Sequence, residues 1–370
     1  MNIIEEFEKI KPTVEYKGYY YKISDMIKIM ILGLLSREQT MKDIHGWAES
    51  KAVREMLKDV FLIRKLPCYS QFTNIIGIID SGELNKIFME FFCKLVEVAG
   101  KTISFDGKTV CSTGKMGSFD SPLHIASAFV VENGITIGQL ATDAKSNEIP
   151  AVQELIRLLN IEGATVVADA LNCQKDTVKE ILDAGADYVL SVKKNQKELF
   201  NDIKDMIDFK CTDKYEQVNC PIETITKVEK SHGRIEKRTA LVTQEVQWLQ
   251  ERDEWQGINT IGAIITESQT RYYISSRVLS AEQLMTITRN EWGVESMHWQ
   301  LDVIFDEDRT TLNEKNTQIT LNILRKTILN VVRTYRDMFE PKLNMVDILR
   351  KCSHDTDVLL DVIAKFNVCV

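Results

Sequence analysis

The order of elements between residues 101 and 208 restricts what this chain can fold into more than any other feature of it. Up to residue 98 the apolar residues recur at helical spacing, and from Lys101 they alternate as in strands. TISFDGKTV (102–110) reads as a strand. LHIASAFVVENGITIGQLATD (123–143) reads as two more, joined at Glu132-Asn133-Gly134, where Asn-Gly is a strong hairpin signal. NEIPAVQELIRLLN (147–160) is a helix that Asn147 can cap, with Pro150 in its first turn. ATVVADALN (164–172) is a near-continuous apolar strand, as expected when both faces are buried, and its apolar run ends at Asp169. A helix closed by Gly185, a strand at 187–193 and a helix at 195–208 follow. A meander followed by βαβ units predicts a mixed five-stranded sheet with helices on its faces.

That is the element order of the ribonuclease H-like fold. A dinucleotide-type parallel sheet competes, but the opening hairpin and the lack of a Gly-x-Gly-x-x-Gly run weigh against it. The flanks complete the expected layout. Residues 1–98 form a helical domain, in which Thr40 can cap a helix. Residues 99–340 form an α/β domain interrupted at about 209–275 by a β-rich insertion. The insertion's strand-like runs are KYEQVNC, IETITKVEK, RIEKRTALVT, TIGAIITES and RYYISSR, with a turn at Ser231-His232-Gly233. Ser280 caps one long helix reaching past Asp302, another helix spans 316–339, and residues 341–370 are a mixed, helical tail.

Composition narrows the function. The chain has 370 residues, 44% apolar and 27% charged, as a soluble globular protein does. Its eight cysteines include no Cys-x-x-Cys pair, which argues against zinc and for a reduced, cytoplasmic protein. The longest apolar run, MIKIMILGLL at 26–35, holds a lysine and is too short to span a bilayer, so no membrane role is expected. A net charge of −8 speaks mildly against nucleic acid, yet basic islands stand at 227–238 and at Lys193, Lys194 and Lys197.

Three acids share a context. Asp106 lies on the first strand, Asp169 at the end of the fourth, and Glu295 on a late helix. That helix also carries Glu291, His298 and Asp302 on one face, beside a stripe of Trp292 and Trp299. Three such carboxylates can hold two magnesium or manganese ions for in-line phosphoryl transfer. Each acid also has a plain structural reading: a turn residue, a helix cap, a solvated side chain. Spacing alone leaves both readings open.

The run FDGKTV, then LHIASAF, then GQLATDAKSNEIPAVQELIRLLNIEGATVVADALNCQKDTVKEILDAGADYVLSVKKNQ resembles the DDE transposases of bacterial insertion sequences. The likeness is to the H-repeat-associated (ISAs-one) group within the IS-four-like set. HGRIEKR, RYYISS, SAEQL, WGVES-x-HW-x-LDV-x-F-x-ED and NILRKTILN continue it in order over roughly residues 20–335. The resemblance implies a DNA transposase that cuts element ends and joins them to target DNA. Its expected catalytic and metal-binding residues are Asp106 in DGK, Asp169 in ADA and Glu295 in WGVES, with two Mg2+ or Mn2+ ions. Double-stranded DNA, as terminal inverted repeats and target, is the expected partner, with a homodimer on the DNA. Lys108 is expected either at a phosphate or as a surface lysine, Arg289 either at the 5′ flank of the cut strand or in an ion pair with a neighbouring acid, and Arg234, Lys237 and Arg238 along the DNA backbone. Trp248 or Trp255 is expected either to stack on an unpaired base or to pack in the core, and His298 either to support the acids or to pack. The departures are Glu291 and Ser296, where the group has Arg-x-His-Trp before the glutamate and Asn after it, and Thr288, Glu291 and Asp302, where the wider set has Tyr, Arg and Lys. Glu291 adds like charge one turn before Glu295. It leaves a second reading open, a decayed or domesticated DNA-binding relative, and a structure- or sequence-selective nuclease is a third.

Overall fold

A computed structural model describes residues 3–15, 20–110, 122–142, 147–210, 221–231, 234–309 and 314–368. The meander forms as the alternation predicts: β1 (Thr102–Thr109), β2 (His124–Val130) and β3 (Ile135–Thr142). Gly134 closes the hairpin at φ +65°, a backbone region costly for residues with a Cβ. The strands β4 (Thr165–Ala168) and β5 (Asp187–Val192) add parallel to β1, with α7 (Glu148–Leu158) and α8 (Lys175–Asp183) as crossovers. Asn147 precedes α7 without a side-chain cap bond, contrary to its expected role.

The β-rich segment departs from the five-strand expectation. The strands β6 (Glu223–Ser231), β7 (Arg234–Thr243), β8 (Thr260–Ile265) and β9 (Thr270–Ser275) continue the same sheet, giving the order β3-β2-β1-β4-β5-β9-β8-β7-β6 among the described residues. The reason is the free edge of β5. RYYIS supplies a strand of matching burial, and β9 pairs antiparallel to β5 from Val189↔Ser275 to Val192↔Tyr272. An open edge next to the core would leave a row of unpaired amides. The expected KYEQVNC strand and the His232-Gly233 part of the turn lie outside the described residues.

Residues before Lys101 give α1 (Ile3–Phe7), α2 (Ile23–Leu35), α3 (Met41–Glu49), α4 (Lys51–Asp59), α5 (Tyr69–Gly77) and α6 (Ser81–Leu95). Thr40 caps α3 by accepting from the Asp43 amide. The helix α9 (Lys197–Lys210) precedes the segment of β6–β9. After β9 come α10 (Ala281–Asn290), α11 (Gly293–Phe305), α12 (Lys315–Phe339), α13 (Met345–His354) and α14 (Thr356–Val368). One apolar core runs without a break from Ile3 through the sheet to Phe366.

The helix α12 holds this core together. It carries Asn322, Arg325, Lys326, Asn330 and Arg333, all buried. Buried polar groups need partners, and the hairpin provides them. Asn330 donates to the Thr136 carbonyl at 2.8 Å and accepts from its amide at 3.0 Å, while Lys326 donates to Ser127 Oγ at 2.7 Å. At its N-terminal end Asn316 donates to the carbonyls of Gly77 at 2.8 Å and Ile79 at 2.6 Å, tying α12 to the turn between α5 and α6.

Candidate active site

The register of the sheet brings the two aspartates together. Phe105 pairs with Ala168 in the parallel β1–β4 ladder, so Asp106 and Asp169 occupy the next position on each chain. There β4 ends and the backbone turns: Asp169 Oδ1 accepts from the amides of Leu171 at 3.0 Å and Asn172 at 3.2 Å. Glu295 reaches the same place from the first turn of α11. All three line one small cleft of about 70 Å³, with Ser104, Arg271, Glu291 and Trp292 also on its wall.

The long helix expected from Ser280 onward is two helices. Ser280 caps α10 through a full capping box with Gln283, as its position predicts, but α10 stops at Asn290 and α11 starts at Gly293. Gly293, the first residue of α11, is closely packed: a Cβ there would stand 3.1 Å from Val131 Cγ1 and 3.4 Å from Phe129 Cε1. The start of α11 therefore lies close against the end of β2. The expected single stripe of acids is divided: Glu291 caps the end of α10, whereas Glu295, His298 and Asp302 lie on α11. Trp292 and Trp299 are 46% and 59% exposed and do not form the packed stripe.

Burial first, and crowding of like charge second, set the protonation of the cleft. Burial, then the charges of Glu148, Asp169 and Glu295, push the Asp106 carboxyl up to about 7. Burial also pushes Glu291 up to about 7, with Asp169, Asp106 and Glu295 adding to the rise and Arg271 opposing it. His298 Nδ1 stands 3.5 Å from Asp106 Oδ2. Burial, then the cations Lys326 and Lys108, hold its imidazole down at about 3, so it faces Asp106 as a neutral group.

Beneath Asp106 lies a buried network absent from the sequence reading. His124 Nε2 and Glu148 Oε2 are 2.7 Å apart, and Asn172 Nδ2 donates to Glu148 Oε1 at 2.9 Å and to Asp169 Oδ1 at 3.2 Å. Asn172 thus couples the His–Glu pair to one of the three acids. Gly107 makes the pair possible: a Cβ there would lie 2.6 Å from Glu148 Cδ and closer still to His124 Nε2. Only a glycine next to Asp106 leaves space for it. Nothing in the spacing of His124, Glu148 and Asn172 marks them.

The expected DNA contacts fall in several places. Lys108 is drawn inward: its ammonium pairs with Asp302 and, at 2.7 Å, with Glu307 Oε2, and so stands in an internal ion-pair network rather than at a phosphate. Arg289 is exposed on the last turn of α10. Lys237 is exposed on β7, and Arg238 beside it pairs with Glu236 at 3.0 Å. Arg234 stands at the start of β7, with its side chain outside the described residues. Arg238, Gln269, Arg271 and Trp292 line a groove of about 200 Å³ that shares Arg271 and Trp292 with the acid cleft. The Arg271 guanidinium lies over the Trp292 ring, 5.1 Å from its centroid. Trp255 is fully buried and packs in the core. Trp248 is 42% exposed and donates to the Glu245 carbonyl at 2.6 Å.

The sequence that builds this sheet matches a family model, that of the transposase DDE domain, over residues 101–331. The chain belongs to that family. It is 29% identical over 349 residues to YncI of Escherichia coli O157:H7, which bears a transposase name, covering 90% of this chain and 88% of that one. It is 29% identical over 383 residues to the H repeat-associated protein YhhI of Escherichia coli strain K12, covering 98% and 99%. Among solved structures it resembles the piggyBac transposase of a synaptic complex with hairpin DNA. There the TM-score is 0.52 at 11% identity, over 98% of this chain and 76% of that one, a likeness of fold. No helix among the described residues is long and apolar enough to cross a membrane.

Proposed function

We propose that this chain is the transposase of a bacterial insertion sequence, that its sheet has the ribonuclease H-like plan, and that it cuts and joins DNA with Asp106, Asp169 and Glu295. The observation that carries the reading is the shared cleft. Three acids distant in sequence, each at its family position, line one small space beside a groove with arginines. Acids gathered so repel one another, with Arg271 on the same wall opposing only part of that cost, and bound cations would relieve it.

The donor set suits magnesium or manganese, which prefer carboxylate oxygens. As the side chains stand, no three acids, histidines or cysteines among the described residues close on a single point. Asp106, Asp169 and Glu295 are the residues that would hold the two ions. The ions, when bound, supply the positive charge that activates the attacking oxygen and stabilises the leaving one. The chain's own part is to fix the acids. Asn172 holds one oxygen of Asp169, and β1 holds Asp106 against the neutral His298. Hydrolysis at an element end forms a bond from water oxygen to phosphorus, breaks the bond to the 3′ oxygen and frees a 3′-hydroxyl. That hydroxyl then attacks a phosphodiester of target DNA, and the target's own 3′ oxygen leaves with a proton. Arg289, Lys237, Arg238 and Arg234 track the backbone of the element's inverted repeats and of the target. A homodimer on the DNA, acting in the cytoplasm, pairs the two ends. The helices before residue 99 and after 340 serve as flanking domains of this core.

The test combines cleavage and binding. Purified protein, duplex terminal repeats and Mg2+ should give nicked ends. Asp106→Asn, Asp169→Asn and Glu295→Gln should each lower cleavage at least 1,000-fold, on the order of one lost catalytic charge group, with duplex binding retained. Mg2+ should also raise the melting temperature of the wild type and not of Asp106→Asn. Binding without cleavage by the wild type would overturn the enzyme reading in favour of a DNA-binding relative, the reading that Glu291 in the cleft favours. Cleavage with no joining to target DNA would favour a nuclease.

A further inference from the structure

We infer that the groove between α4 and the loop after it binds the phosphate backbone of duplex DNA, a second contact surface separate from the acid cleft. The inference rests on the DNA-processing reading above and places part of the DNA on the helices before the sheet. The groove, about 390 Å³, is walled by Lys51, Arg54 and Lys58 of α4 and by Arg64 and Lys65 of the loop. Two carboxylates, Glu49 and Glu55, share the wall. In a chain of net charge −8, five cations against two acids is a strong local reversal.

The construction is specific. The apolar side of α4, Val53, Met56 and Leu57, is buried, which forces Lys51, Arg54 and Lys58 outward on one face. The loop is pinned so that its cations face the same space. Ile63 is buried and its amide donates to the Leu57 carbonyl at 2.9 Å, and His45 Nε2 meets the Pro67 carbonyl at 2.8 Å. Leu62 takes a left-handed backbone, φ +59°, to make the turn. Among the described residues none of the five cations has a carboxylate partner: Glu49 faces His45 at 3.7 Å, and Lys65 lies over the Tyr20 ring at 4.3 Å. Five cations against two carboxylates, none of them in an ion pair with the other set, repel one another, and that cost persists where a polyanion relieves it. The stripe from Lys51 to Lys58 spans about 10 Å at ~1.5 Å per residue. That length matches roughly three phosphates of one strand at ~3.4 Å of duplex axis each, and exceeds a single anion.

The experiment measures binding of a fluorescent duplex of the element's terminal repeat by the full chain carrying E295Q, across 50–200 mM salt. The K51E/R54E/K58E variant should bind at least 10-fold more weakly at the lowest salt. Its slope of log affinity on log salt should be shallower by about 3, near 0.9 per lost phosphate contact. A scrambled duplex should lose as much, since backbone contacts carry no base code. A charge-matched K342E/R350E/K351E variant should stay within 3-fold of the parent. Because the three α4 side chains are exposed, circular dichroism and melting temperature should not move. Equal losses in the two variants would show a bulk-charge effect and overturn the site. Unchanged DNA binding with loss of a dimer in light scattering would show that the groove docks the acidic surface of a second copy, and would overturn it too. Absence of DNA binding by the parent would instead overturn the functional reading itself, together with this site.

Discussion

Gly107→Ala tests whether the floor of the site is built as described. A methyl at this position would stand 2.6 Å from Glu148 Cδ, where Cβ contacts under 3.0 Å are essentially never seen. His124 and Glu148 are only 1% and 3% exposed, so neither can swing into solvent. Two responses are open. The surroundings absorb the methyl as an overpacked core, at about 1–3 kcal/mol. Alternatively the His124–Glu148 contact opens, at about 1.5–3 kcal/mol for a hydrogen bond to a charged group. The cheaper response sets the cost, so the expected loss is about 2 kcal/mol, read by urea unfolding followed through tryptophan fluorescence. The decisive measurement is a double-mutant cycle. In a His124→Ala, Glu148→Ala background the methyl enters vacated space, and Gly107→Ala should then cost under about 0.5 kcal/mol. A similar cost in both backgrounds, or no cost in the wild type, would refute the claim that this glycine exists to admit the buried pair.

Four further outcomes follow from the same geometry. Asp106 and Glu291 have folded values raised to about 7, so the folded apo protein binds more protons than the unfolded chain between about pH 4 and 7. Their contribution to stability is full below the unfolded values and is lost as pH rises toward 7; the melting temperature of Asp106→Asn should therefore exceed the wild type's at pH 8, with the gain vanishing near pH 4. Glu291→Gln should stabilise the apo protein in the same window while keeping DNA cleavage, because Glu291 is not one of the three acids proposed to work; loss of cleavage would reassign the helix acid. Asn172→Ala should slow cleavage at least 10-fold and raise the Mg2+ concentration needed for half-maximal thermal stabilisation, since Asp169 loses a side-chain donor; an unchanged Mg2+ requirement would leave Asn172 a merely structural role. Asn316→Ala should cost about 1–3 kcal/mol in urea unfolding, because the Gly77 and Ile79 carbonyls lose their donor.

Much of the fold was legible because β-alternation and apolar runs report burial directly. The β1–β5 order, the Gly134 hairpin and the Ser280 cap all follow from such local signals. The placement of β6–β9 did not, because which edge a strand joins is decided by partners far away in the chain: β9 was readable as a strand, but not as the neighbour of β5. The break at Gly293 was missed for a related reason. Helical periodicity continues through Glu291 and Trp292, so no local pattern marks the division between α10 and α11. For the site, the three acids could be nominated from strand ends and family motifs. The His124–Glu148–Asn172 network could not, since a buried polar group is indistinguishable in sequence from an exposed one until its partners are placed. Lys108 shows the converse: a lysine beside a candidate catalytic acid suggests a phosphate contact, and the carboxylates of Asp302 and Glu307, nearly two hundred residues on, claim it instead.

The helix α12 has a consequence for the protein's life on the ribosome. It packs against α2, α5, α6 and β3, yet it is made only after residue 314. At ~5–20 residues per second, the apolar faces of α2 and α6 wait roughly 10–60 s for the segment that covers them. Until then the nascent chain is an adhesive for itself and a client for chaperones. A gene copy cut short by a frameshift anywhere before that helix yields a fragment with an open core, which proteases should clear. Truncated copies should therefore fall silent rather than persist as stable, DNA-binding inhibitors of the intact protein.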